Sequence, residues 1–188
     1  MPNADYLEYY PNEEYLRKNW APERIPLDSL RALAAAQRMA VKAKVLSPFL
    51  ADKFLPNILI EGRHGSPGME TDDDTMRASY NPNIETSFGV RSDMQYSRQM
   101  IENMRRMGYE PQGGTDMDFE PYPRALSAAA MLGEKERIYG EGLAIERWNG
   151  IGPLAKKHVR KVDEMSRMLA HPKNQALRDA YQTLLQSK

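Results

Sequence analysis

The chain has 188 residues, equal numbers of acidic and basic side chains (26 each), no cysteine and three histidines far apart in sequence. That length suits one domain with its own core; the absent cysteine excludes disulfides and thiolate chemistry, and scattered histidines argue against a multi-histidine metal cage. A mean hydropathy of −0.69, with no apolar run near the roughly 20 residues of a membrane span, predicts a soluble chain.

The first 28 residues carry four prolines and the tyrosines Tyr6, Tyr9, Tyr10 and Tyr15 without sustained periodicity. They read as an extended N-terminal arm, residues 1–28, lying against its own domain or a partner. Its opening residues have neither the basic nor the apolar region of a signal peptide, so the expectation is a chain with no export signal. Residues 29–188 then read as a single helical domain. From Ser29, Leu30, Leu33, Ala34, Gln37, Val41 and Val45 follow helical spacing, with Arg31, Arg38, Lys42 and Lys44 on the outer face. Ser47-Pro48 stops that helix and starts another, serine as N-cap and proline in the first turn. The apolar stripe Phe49, Leu50, Phe54, Leu55, Ile58 and Leu59 leads to Glu61-Gly62, and Pro56 within it predicts a kink or restart.

Residues 62–95 form the first long loop, rich in glycine, proline, aspartate and asparagine and without strand-like alternation. Helical spacing returns over Met94–Met107 and ends at Gly108, a C′ glycine. After a second, acidic loop (111–123), a helix follows over Arg124–Tyr139, where Ala128, Ala129 and Ala130 favour close helix contact. A short helix from Glu141 runs into Arg147-Trp148-Asn149-Gly150. Lys156–Leu169 sets Val159, Val162, Met165 and Leu169 on one side, His171-Pro172 breaks it, and Asn174–Gln186 closes the chain. The predicted class is mainly α, with two long loops and little or no sheet.

Charge is uneven along this order: residues 61–120 hold 12 acidic and 6 basic side chains, 147–188 hold 3 and 9. That polarity argues against a uniformly basic nucleic-acid binder and leaves a local basic surface at the C-terminal helices. Gly62-Arg63-His64-Gly65-Ser66 lacks the lysine of a phosphate loop, and Asp72-Asp73-Asp74 lacks the spacing of an EF-hand. Ser66 has no strand-turn-helix context for a nucleophile elbow. Neither metal nor cofactor is expected. Glu61, closing an apolar helix, is the candidate acid: partial desolvation raises a glutamate pKa and keeps the acid protonated near neutrality. An ordinary exposed helix-end glutamate is the competing reading.

Three segments resemble the lysozyme-like lytic transglycosylases. Ala144-Ile145-Glu146-Arg147-Trp148-Asn149-Gly150-Ile151-Gly152-Pro153 is similar to the family's alanine–tyrosine–asparagine–alanine–glycine segment, with Trp148 for the tyrosine and Asn149 retained; His158–Val162 resembles the helix that follows. Phe49–Glu61 resembles the first core helix, which ends in the catalytic glutamate. Tyr80-Asn81-Pro82-Asn83 through Thr86, Gly89-Val90-Arg91 and Met94-Gln95 track a third family stretch. Arg77 stands where the family carries its glutamate relative to that stretch, so Glu61 fits only with an insertion, and Ser92-Asp93 replace a glycine and an apolar residue.

The resemblance implies a lysozyme-like fold and a peptidoglycan lytic transglycosylase, with Glu61 as single acid/base (Glu70 the fallback) and Tyr80, Gln95, Trp148 and Asn149 holding the glycan strand. It also implies delivery in a phage virion, acting at the bacterial cell wall, with the arm and the basic C-terminal helices docking on other virion proteins. A virion structural or ejection protein of the same fold without catalysis is the first alternative, and a cytoplasmic helical adaptor the second.

Overall fold

The computed structural model describes residues 27–61, 96–112, 121–148 and 150–187. Among these residues it contains seven α-helices and no strand: α1 Leu27–Lys42, α2 Pro48–Glu61, α3 Arg98–Arg106, α4 Pro121–Tyr139, α5 Ala144–Trp148, α6 Pro153–Ala170 and α7 Gln175–Gln186. A single 3-10 turn, Pro172–Asn174, joins α6 to α7. The fold is mainly α, as the spacing predicts. The arm lies outside the described residues except for its last two positions, Leu27 and Asp28, where α1 begins.

Local chemistry accounts for the helix ends. Ser47 Oγ accepts from the Leu50 amide at 3.3 Å and so caps α2, while the Glu136 carboxylate takes the Ser47 N–H. α3 starts at Arg98 because Ser97 caps it, its side chain accepting from the Met100 amide; the predicted start at Met94 is four residues early. Gly108 terminates α3 at φ +83°, with Gly108 N–H to Arg105 O and Tyr109 N–H to Met104 O forming the reversed pair of a Schellman motif. α1 ends in the same way, with Lys44 N–H to Val41 O and Val45 N–H to Ala40 O, but the left-handed residue is Lys44 (φ +57°). The helix therefore stops at Lys42, and Val41, expected on the inner face, is 39% exposed.

α4 is the hub, packing against α1, α3 and α5. Ala125, Ala128, Ala129 and Ala130 are fully buried, as are Ala36 and Ala40 of α1, so the backbones approach closely. Gly133 marks the nearest point: a Cβ there would lie 2.7 Å from the Val45 carbonyl oxygen. α7 closes over α1 through the Tyr181 hydroxyl, which donates to Gln37 Oε1, and Arg38, whose guanidinium donates to Leu184 O at 2.7 Å. From Phe54 to Leu59 α2 is apolar except for Asn57, and all six residues are buried. It runs unbroken through Pro56, packed on α1 and α6.

Candidate functional site

The candidate acid, Glu61, is the last residue of α2. Its side chain lies outside what the structure describes, as do Tyr80, Gln95, Asn149, Glu70 and Arg77 altogether. The elements around the C-terminal end of α2 are described, and two polar contacts fix them. His158 Nε2 lies 2.6 Å from Asn57 Oδ1, both residues fully or almost fully buried, so the ring donates and the amide oxygen accepts. One turn earlier on α2, Lys53 Nζ meets Asp163 Oδ1 at 3.5 Å on the rim of the same interface.

These pairs set the register. Advancing from 53 to 57 on α2 corresponds to retreating from 163 to 158 on α6, so the helices run antiparallel. One further turn brings the backbone of Glu61 level with the first turn of α6, near residues 153–154. That turn follows directly on the 148–152 segment. The C-terminal end of α2 and the turn before α6 therefore lie at the same end of the α2–α6 pair.

The 148–152 segment is held from several sides. Ala144, Ile145 and Trp148 are buried, α5 packing between α4 and α6. Arg147 Nη1 donates to Glu146 Oε2 at 2.9 Å and sits with its guanidinium carbon 5.4 Å from the centre of the Tyr139 ring. Gly150 and Gly152 both take left-handed φ, +91° and +111°, and the Ile151 side chain between them is 83% exposed. Trp148, expected on the glycan side, is only 8% exposed and belongs to the apolar core. Stacking on a sugar needs an open ring face. The indole at this position anchors the turn instead.

Burial also controls charge here. Desolvation, with a smaller contribution from the nearby Lys161 cation, pushes the His158 pKa down to about 3, so the ring is neutral at physiological pH. Lys161 is itself buried, one turn along the same face of α6. Asn57 Nδ2 is buried and finds no hydrogen-bond partner among the described residues. No group of three acidic or histidine side chains among the described residues could hold a metal ion, and no described helix is long and apolar enough to cross a membrane.

Asn57 and His158 are the residues that sequence reasoning passed over, though both carry a signal. Asn57 interrupts the otherwise apolar run Phe54–Ile60, and His158 falls in helical step with Ala155, Val162, Met165 and Leu169. A polar group at a core position requires a partner. Compared with family models, curated proteins and solved structures, the chain matches none.

Proposed function

We propose that the chain is a peptidoglycan lytic transglycosylase in which Glu61 serves as the single acid/base. The observation that supports this reading is the antiparallel α2–α6 register, which brings the helix end bearing Glu61 level with the turn that follows Trp148. In the proposed reaction Glu61 gives its proton to the glycosidic oxygen as the bond to the N-acetylmuramic acid C1 breaks. The carboxylate then takes the proton of the C6 hydroxyl while that oxygen closes a 1,6-anhydro ring on C1. One residue performs both steps, and no second carboxylate is needed to activate water. Tyr80, Gln95 and Asn149 are the proposed glycan contacts, and Trp148 supports the turn.

The same reading makes the chain part of a phage particle, which proteomics of purified virions would detect. The alternative without catalysis is favoured by two specific observations, Arg77 at the motif position and the burial of Trp148. Digestion of purified peptidoglycan separates the two. Anhydro-ended muropeptides by mass support the transglycosylase, reducing ends indicate a hydrolase, and an intact sacculus leaves the structural role.

A further inference from the structure

At the other end of α2, about 20 Å from Glu61 along the helix axis, the loop after α1 and the helices α3 and α4 enclose a groove of about 630 Å³. Three cations line it from three separate elements: Lys44 from the loop, Arg106 from α3 and Arg137 from α4. Among the described residues Glu136 is the only acid on its wall, and that carboxylate is held by the Ser47 N–H at 3.1 Å. Arg106 is fixed by donating to the carbonyls of Ala43 and Lys44, whereas Lys44 and Arg137 are exposed with no acidic partner among the described residues. Between the charges lie the exposed Val41 and Pro48, backed by the buried Val45 and Leu46, together with the polar Ser47, Gln99 and Asn103.

Lys44 carries a second indication. It occupies the C′ position of α1 at φ +57°, where glycine fits freely and an L-residue is strained. A lysine retained at a glycine position places a cation on the rim of the groove at some expense in stability. Gly133 serves the same geometry from the other side: only a residue without Cβ lets α4 approach the Val45 carbonyl and bring Arg137 up to the loop.

We propose that this groove binds an acidic, partly apolar peptide segment of a partner protein. Cations spread over three elements with apolar surface between them match carboxylates spaced along an extended chain, with small apolar side chains in the gaps. A single small anion would not reach all three. A nucleic-acid strand fits less well, because among the described residues no aromatic side chain lines the groove for bases to stack on and Glu136 opposes a continuous phosphate backbone. The site is remote from Glu61 and does not depend on the proposed glycan chemistry.

The test uses the full chain and a fluorescein-labelled decapeptide of alternating glutamate and alanine, followed by anisotropy at low and at physiological salt. Saturable binding that weakens with salt is expected, with the lysine–alanine counterpart inert. Lys44→Gly should raise the melting temperature yet weaken the peptide. The Lys44→Gly, Arg137→Gln double variant should lose at least tenfold in affinity while still melting cooperatively. The proposal is overturned by no binding of the glutamate peptide, by equal affinity in the double variant, or by a single-stranded oligonucleotide that binds more tightly than the peptide.

Discussion

The two ends of α2 meet their surroundings in opposite ways. Toward the C-terminal end the neutral His158 donates to Asn57, both buried. At the N-terminal end charge is plentiful and open to water, with Lys44, Arg106 and Arg137 around a groove. A buried hydrogen bond is costly to break because its groups cannot turn to solvent, whereas exposed cations contribute little to stability and are available to a ligand. One helix thus joins a buried polar contact toward its C-terminal end with an open, charged groove at its N-terminal end.

The sharpest break of that contrast is at the C-terminal end. Glu61→Gln keeps the shape of the side chain but cannot give up and recover a proton, so turnover of peptidoglycan should fall by ~10²–10⁴-fold. The melting temperature and the binding of the glutamate peptide should not change. Full activity in this variant, measured by release of anhydro-muropeptides, would remove Glu61 from the reaction and turn attention to Glu70.

Next in size is the pH dependence of stability. Unfolded, His158 takes a proton near its ordinary pKa of 6.5; folded, it stays neutral down to about pH 3. Below pH 6.5 the unfolded state therefore binds more protons, and stability falls as the pH falls, by about 1.4 kcal/mol per unit until the folded-state pKa is reached. His158→Gln retains an N–H donor for Asn57 but cannot titrate. Urea denaturation at pH 7, 5.5 and 4 should show the wild type losing stability faster than this variant. Parallel losses would mean that His158 is not buried neutral.

How much of this could be read from residues alone divides along the same line. Helices reveal themselves by spacing, so Leu30 and Leu33 of α1 and Val162, Met165 and Leu169 of α6 announce their buried faces, and Ser47-Pro48 and Gly108 mark ends. What spacing does not carry is the pairing of helices far apart in sequence. Asn57 and His158 are 101 positions apart, and nothing local links them. Lys44 misled for a related reason: lysine is a good helix former, and only the three-dimensional need for a sharp exit from α1 forces it into the left-handed region. Pro56 misled in the other direction, since a helix buried on all sides can keep its course past one missing N–H. Of the candidate site, the sequence supplied the residue types, and the register that brings two of its segments to one end needed the fold.

A smaller effect is expected at the point where α4 meets the loop. Gly133→Ala would bring a methyl to 2.6 Å from Val45 Cγ1 and 2.7 Å from the Val45 carbonyl oxygen. The valine side chain can turn, but the carbonyl is backbone, fixed beside the Val45 N–H that bonds Ala40 O in the cap of α1, and cannot retreat cheaply. Overpacking of this kind costs ~1–3 kcal/mol, offset by the ~1 kcal/mol by which alanine is the better helix residue. A net loss of about 0–2 kcal/mol is expected by urea denaturation, with weaker peptide binding as Arg137 moves away from Lys44. A variant more stable than the wild type would show that the close approach is not required.

The smallest expected change has the opposite sign. Left-handed backbone costs an ordinary L-residue ~1–2 kcal/mol relative to its preferred regions, and glycine escapes that cost while losing somewhat more entropy on folding. Lys44→Gly should therefore stabilise the chain by about 1 kcal/mol. Lys44→Ala removes the same charge but keeps the Cβ, so it should leave stability nearly unchanged. The pair separates strain from charge: if both variants stabilise equally, the gain comes from relieving repulsion among Lys44, Arg106 and Arg137, and the gain should then vanish in high salt. If only glycine stabilises, the strain at φ +57° is real and salt-independent. Loss of peptide binding in both variants would then identify the ammonium group as what that strained position provides.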